Sequence, residues 1–371
     1  MAIFSKKKKK DKGILYTASQ WQLMWIKFKK HRLALVGGTV VLLFYLVAIF
    51  AEFFAPYNPY FRDLSLAVAV PMSIHLRDQD GKFHLPFVYG VEQKRDMETF
   101  ELIYTVDKTK RYSLRFFVRG DSYKMWGLWE SDLHFFGVEG KNRAYLFGGD
   151  QQGRDLLSRI IYGTRISLSI GLIGVVLSFG LGIVLGGISG YFGGIADVIT
   201  QRMIEVLISI PSLPLWMALS AAIPLNWPIT KVFFAITIIL SLMAWPGLAR
   251  EVRGKLLALR EEDFVIAARL TGCKENRVIF RHLIPSFLSH IIASGTLAIP
   301  GMIIGETALS FLGIGLRAPA ISWGVLLQSA QNVRAMILTP WFLLPGIFVV
   351  IVVLAFNFLG DGLRDAADPY R

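Results

Sequence analysis

The sequence predicts an all-α polytopic membrane protein with six membrane-crossing helices and a β-rich insertion after the first. Three observations carry this. The chain is 54% apolar over 371 residues, with a mean hydropathy of +0.49. Its apolar residues gather in runs of about 20, the length at which a helix crosses a hydrocarbon core. One stretch of different character, residues 55–150, holds no such run and alternates apolar with polar residues, the period of a half-covered strand.

Residues 1–32 carry ten Lys/Arg, among them Lys6 to Lys10, against a single acid, Asp11. Such a flank marks the cytoplasmic side of the run it precedes and attracts anionic lipid. Without interleaved aromatic residues it does not read as a nucleic-acid surface. Trp21 and Trp25 beside Lys27, Lys29 and Lys30 predict a helix lying in the membrane interface. The first span, Leu33 to Phe54, is too long for a cleaved leader, and Phe53-Phe54-Ala55-Pro56 offers no small-residue cleavage site.

The insertion alternates most clearly from Tyr112 to Arg119, and Asp80-Gly81, Gly120-Asp121 and Glu139-Gly140 divide it with turns. Trp126, Trp129, Phe135 and Phe136 read as its core, and the whole as an extracytoplasmic domain forming part of an interface. Five further spans follow: Ile166 to Ile188, Met203 to Ile223 (with Pro211 and Pro214), Val232 to Leu248, Ser286 to Gly305 (with Pro300), and Trp341 to Leu359. Prolines are tolerated where neighbouring helices satisfy the freed carbonyls. Gly171, Gly174, Gly180, Gly182, Gly186 and Gly187 give the second span a small-residue face for close packing. Counting spans puts both termini and residues 249–285 in the cytoplasm. That loop holds eight Lys/Arg against five acids, in agreement with the N-terminal charge.

Four groups of residues stand beside the spans. Phe147-Gly148-Gly149-Asp150, with Gly153, Arg154, Asp155, Ser158, Arg159, Tyr162 and Arg165, precedes the second. Gly190-Tyr191-Phe192-Gly193-Gly194 and Asp197 follow it and lead to Arg202 and Pro211. Asp263-Phe264-Val265-Ile266-Ala267-Ala268-Arg269-Leu270-Thr271-Gly272, continuing through Arg281 to His282-Leu283-Ile284-Pro285, reads as a helix, a turn at Gly272 and a second helix that stops at Pro285. The last group is Glu306-Thr307-Ala308-Leu309-Ser310-Phe311-Leu312-Gly313, with Trp323-Gly324, Gly360-Asp361-Gly362-Leu363-Arg364-Asp365 and Asp368-Pro369.

Together these resemble the permeases of the dipeptide/oligopeptide ABC-importer family, specifically the C-type of their two membrane subunits. The match covers Phe147 to Pro369 well and Leu33 to Pro59 loosely, and leaves out the core of the insertion. Gly149 stands where the family has Thr, and Ile266 where its "EAA" coupling motif has Glu. Glu261, Glu262 and Asp263 precede that motif and favour the positive end of the helix that follows.

The resemblance implies a five-helix type I importer core over residues 151–361, one added helix over 33–54, a cytoplasmic tail over 362–371, and a bacterial plasma (inner) membrane location. It implies that the loop docks on an ATPase through Asp263, Ala267, Ala268, Arg269, Gly272, Arg281 and Pro285. Ala267 and Ala268 allow close approach, and Arg269, Lys274, Arg277 and Arg281 offer charge to an acidic rim. The implied partners are a second homologous permease, two ABC ATPases that hold ATP and Mg, and an extracytoplasmic solute-binding protein. Peptides are the favoured cargo, with oligosaccharides, opines or metal chelates as alternatives.

Asp150, Gly153, Arg154, Asp155 and Arg159 read as an ion-pair and capping network outside the membrane. Glu306 and Asn357 are polar groups near membrane depth, which face the protein interior or a wet pathway; Glu306 fits either a gate or a brace. The chain has no Gly-x-x-x-x-Gly-Lys-Ser/Thr loop for ATP. It catalyses nothing in this reading and needs no cofactor of its own. Cys273 is the single cysteine, which rules out an intrachain disulfide. An intramembrane hydrolase lacks its residues, since His290, the only histidine in a span, has no catalytic partner. A stand-alone channel or secondary transporter lacks its inverted repeat and its central charges, because Glu52 and Glu205 lie near span ends.

Overall fold

The computed structural model describes residues 20–95, 97, 102–140 and 142–368. The basic run Lys6 to Lys10 and Pro369 lie outside the described residues. Among the described residues, five helices are long and apolar enough to cross a membrane, or six if one bent pair counts as a crossing.

Helix α1 (Gln20–Phe28) packs Met24 and Phe28 against Ala34 and Ala366. It leaves Trp21 and Trp25 exposed, with Lys29 Nζ 5.1 Å from the Trp25 ring centre. Helix α2 (Arg32–Ile49) is the first candidate span. It ends before the predicted Phe54, because Phe50 (φ −107°, ψ 37°) breaks it and Ala51–Phe54 forms a separate turn, α3. The break frees the carbonyls of Ala48 and Ile49, which Arg165 takes together with both oxygens of Glu52, at 2.8 and 2.6 Å. Carbonyls in the last turn of a helix need such partners.

The insertion holds β1 (His75–Arg77), β2 (Phe83–Arg95), β3 (Leu102–Met125) and β4 (Trp129–Val138). They pair in sequence order as one antiparallel sheet. Its core is Tyr57, Leu66, Ala69, Met72, Val88, Val138, Ala144 and Tyr145. Trp126 and Trp129, expected in that core, are 47% and 60% exposed, and Phe135 and Phe136 are half-buried. The reason is length: β3 runs 24 residues, so its far end passes beyond the core.

Helices α4 (Leu156–Phe192) and α7 (Ile229–Leu259) have 37 and 31 residues, well beyond their apolar middles. At 1.5 Å per residue α4 is about 55 Å long, so both project past a bilayer. A side chain at Gly182 or Gly186 of α4 would press on the backbone of Trp245 or Ala249 of α7, and one at Gly171 or Gly174 on Ile303 or Met302. The predicted small-residue face is thus two faces; Gly180 has open space beside it. Helices α5 (Gly194–Ser209) and α6 (Ser212–Ala221) meet at an 88° bend. Met203 to Ile223 is therefore not one straight span. Pro211 biases the residue before it away from the helical region, and Ile210 is extended (φ −95°, ψ 127°).

The chain continues through α8 (Asp263–Leu270), α9 (Leu288–Phe311), α10 (Trp323–Leu327) and α11 (Leu344–Ala367). Helix α11 continues through most of the predicted tail. It packs antiparallel to α2: Gly37 lies against the backbone of Ala355, Gly362 against Ala34, and Phe44 against Phe348. The main core joins α2, α4, α7, α9 and α11 through Val41, Leu168, Leu240, Ile303 and Val352, all buried.

Candidate functional site

The segment after α7 is built on a short amphipathic helix. Asp263 stands in the first turn of α8, where its charge meets the helix dipole. Val265 and Ala268, three apart and so on one face, are buried against Tyr191, Leu256, Val278, Ile279 and Leu283. Phe264, Ile266, Ala267, Arg269 and Leu270 are exposed, Leu270 by 83%. The two adjacent alanines therefore differ: Ala267 faces out, whereas Ala268 seats the helix on its own chain. Adjacent helical positions point about 100° apart, so both cannot meet the same surface.

The end of α8 is a Schellman cap. Cys273 N–H donates to Ala268 O at 3.1 Å, and Gly272 N–H to Arg269 O at 2.9 Å. Gly272 takes φ +76° with nothing within 4 Å of a would-be Cβ, so glycine is needed there for its backbone and not for room. The next stretch is helical from Glu275 to Ser286, with a wide turn over Val278–Leu283 in which Ile284 N–H reaches back to Ile279 O. Pro285 lies inside this stretch and does not end it; Phe287 (φ −122°, ψ 20°) does. A wide turn of this kind shifts the hydrogen-bond register just before a residue that has no N–H to give. Lys274, Arg277, Arg281 and Pro285 are exposed.

Two ties mount this segment on the helix ends. The Arg269 guanidinium lies over the Tyr191 ring, 5.1 Å from its centre. Behind it Arg253 of α7 grips Asp197 of α5 through two bonds of 2.6 and 2.7 Å, and Ser189 Oγ donates to the same carboxylate at 2.5 Å. Arg253 was not singled out from the sequence. It lies 56 residues from Asp197, and nothing in the spacing picks it from the other basic residues of its loop.

A second cluster precedes α4. Asp150 accepts from Arg154 Nε at 2.6 Å, from an Arg159 guanidinium nitrogen at 2.9 Å, and from the N–H groups of Gln152 and Arg154. Asp155 caps α4 by accepting from Ser158 N–H at 2.8 Å and from Ser158 Oγ at 2.6 Å. Burial pushes the Asp155 carboxyl up to about 6, against the pull of those Ser158 bonds. Gly153 (φ +70°) abuts the Asp63 carbonyl so closely that no side chain fits. Nearby, burial pushes Asp121 up, but bonds from Arg143 and Asn58 N–H and the charges of Arg143 and His134 leave it below its usual range.

A third cluster lies inside the helical core. Glu306 of α9 is fully buried. Its carboxylate accepts from the hydroxyls of Ser322 at 2.7 Å, Ser310 at 2.8 Å and Ser167 at 3.3 Å. Those hydroxyls in turn accept the N–H groups of Val325, Leu316 and Trp323. Glu306 thus joins α4, α9 and the start of α10 through hydrogen bonds. Asn357 is half-buried in α11 and is not among the donors to this carboxylate. The three clusters remain separate places on the chain. None of the described residues forms a group of His, Cys, Asp and Glu that could hold a metal.

Two stretches of the chain match known families. Residues 182–370 match the family described as "Binding-protein-dependent transport system inner membrane component". Residues 19–71 match the "N-terminal TM domain of oligopeptide transport permease C". The oligopeptide transport system permease protein OppC of Haemophilus influenzae is 41% identical over 226 residues, 61% of this chain and 70% of that one. The dipeptide transport system permease protein DppC of Alkalihalophilus pseudofirmus is 39% identical over 62% of this chain and 74% of that one. OppC of Bacillus subtilis is 37% identical over 62% and 72%. A solved structure of the MetNI methionine ABC transporter shows a slight likeness, 18% identity over 56% of this chain and 96% of that one, with a TM-score of 0.42. On the family match and these relatives, the chain belongs to the binding-protein-dependent transport system inner membrane components, as a multi-pass membrane protein.

Proposed function

We propose that this chain forms half of the pathway of an ATP-driven peptide importer, and that residues 261–285 are the element through which an ATPase moves it. The observation that carries the coupling role is the mounting of α8. It offers Phe264, Ala267 and Leu270 outward, while Ala268, the Gly272 cap and the Arg269–Tyr191 contact hold it to the ends of α4 and α7. A partner pushing on that face moves long helices and not a loop, which is how a rigid docked element transmits a switch. Peptide cargo is taken from the relatives, which are oligopeptide and dipeptide permeases. A second homologous permease completes the pathway, two ATPases supply ATP and Mg, and a solute-binding protein delivers cargo on the far side.

Parity supports six crossings. The start of α2 and the end of α11 lie side by side: Gly362 meets Ala34, and Lys27 Nζ donates to Asp368 O at 2.7 Å. A chain that enters and leaves on one side crosses an even number of times, and five straight helices are odd. The bent pair α5–α6 then supplies the sixth crossing. A recess between the start of α2, the end of α7, the start of α9 and the end of α11 is lined by His31, Leu259, Phe287 and Arg364. Its lining by Leu259 and Phe287, which flank the coupling segment, supports that segment on the same, basic side, which is the cytoplasm by the positive-inside rule. Residues 55–150 then lie outside the cell membrane.

The test is ATP hydrolysis by the reconstituted complex with loaded binding protein. Native chain should be stimulated. Leu270→Glu should leave a folded permease that fails to bind the ATPase or to stimulate it. Full stimulation in the variant would remove α8 as the coupling element.

A further inference from the structure

We propose that the β3–β4 hairpin is a second membrane contact, an aromatic foot that rests in the lipid interface beside the end of α2. The hairpin turn, Trp126-Gly127-Leu128, is tied to the span itself. Trp126 Nε1 donates to Ile49 O at 2.7 Å, and its ring lies 5.5 Å from Phe50. Ile49 is the last residue of α2. Eighteen residues of helix reach about 27 Å, close to the thickness of the hydrocarbon core. The Ile49 carbonyl therefore marks the boundary between acyl chains and headgroups, and the turn sits at that depth.

The surface there is wrong for water. Leu128 is 71% exposed, Trp129 60%, Phe116 69% and Phe117 63%. Trp129 stands 5.7 Å from Trp126, and Phe117 lies 6.4 Å from Phe53 of α3, so the patch continues the apolar end of the span without a gap. Patches of this kind mark contact sites, and tryptophan, with an apolar ring and one N–H, is the residue that collects at membrane boundaries. The charges at this end suit a headgroup layer and not the acyl core: Lys124 pairs with Glu130 at 3.3 Å, and Arg165 with Glu52 at 2.6 Å. The occupant is thus the lipid interface. The foot would fix the long β3 strand, and with it the insertion, at a set tilt to the bilayer.

Cys273 is the only cysteine, so a Cys273→Ser background accepts one reporter. Leu128→Cys and, for comparison, Asp80→Cys in the β1–β2 turn would carry an environment-sensitive fluorophore, in the assembled complex in lipid nanodiscs. The expected result is at least twofold stronger quenching at position 128 than at 80 by a lipid bearing a nitroxide near its headgroup, and at least twofold weaker quenching by iodide. Equal iodide quenching at both positions would mean a water-facing tip and would overturn the proposal. Shielding at 128 from both quenchers would mean a protein partner covers the patch, and would overturn it too. If Leu128→Cys does not assemble, Trp129→Cys reads the same depth one residue on.

Discussion

Arg269 and Tyr191, 78 positions apart in sequence, stack with the guanidinium 5.1 Å from the ring centre. The contact fastens α8 to the last turn of α4. A cation over an aromatic ring is worth about 0.5–2 kcal/mol, depending on how far it is shielded from water. That is small against the stability of the helical core but large against the seating of one short helix. Tyr191→Leu keeps most of the packing and removes the ring face. The expected outcome is an assembled complex whose peptide uptake per ATP hydrolysed in proteoliposomes falls severalfold. An unchanged ratio would mean the stacking does not transmit motion.

The cap of α8 makes a graded prediction. Gly272 needs φ +76° and has free space around it, so substitutions there act through the backbone alone. An L-residue in the left-handed region costs about 1–2 kcal/mol, and Asn is the best tolerated. Seating of α8, read as affinity for the isolated ATPase, should fall in the order Gly, Asn, Ala, Val. Roughly tenfold should be lost per 1.4 kcal/mol. If Gly272→Val binds as tightly as native, α8 is not the docking element or its cap does not matter.

Much of this arrangement is legible in the sequence, and the failures share a cause. The spans show because their side chains must be apolar along their whole length. The Gly272 turn shows because glycine is the residue a positive φ selects. The break at Phe50 does not show: its neighbours Phe53 and Phe54 are as apolar as the helix, and what the break serves is Arg165, 113 residues from Glu52. Ala267 and Ala268 look alike in sequence, and only the packing of Val265 and Tyr191 distinguishes them. Pro285 reads as a helix stop, but a wide turn absorbs it. In each case local chemistry is visible and a long-range partner is not.

Glu306 tests whether a buried carboxylate holds the core together. Three serine hydroxyls donate to it, and each hydroxyl also anchors a backbone N–H. Glu306→Gln keeps an oxygen for some of these donors. Glu306→Leu keeps the bulk and leaves all of them facing an apolar group, and an unsatisfied buried polar group costs about 1–3 kcal/mol. The leucine variant should melt well below the glutamine variant in detergent, with the loss concentrated in proteolysis near Ser322. Equal melting of the two would mean that these bonds do not hold the core together.

The N-terminal cap of α4 gives a pH dependence with a definite sign. Burial holds the Asp155 carboxyl up at about 6, against about 3.9 for an unfolded aspartate. The folded state therefore binds the proton more tightly than the unfolded one. Its stabilising contribution is fully present below the unfolded value and is lost as pH rises through about 6. Over that window the loss amounts to roughly 3 kcal/mol at one pKa unit per 1.36 kcal/mol. Asp121 acts oppositely: Arg143 and Asn58 hold it ionised, so its contribution is lost as pH falls below the usual carboxylate range. Asp155→Asn keeps an acceptor for Ser158 N–H but cannot ionise. The difference in melting temperature between Asp155→Asn and native chain should therefore shift in favour of the variant from pH 4 to pH 7 and level off above. A difference that stays flat across this range would show that Asp155 carries the same charge folded and unfolded, and that its cap is better hydrated than its burial implies.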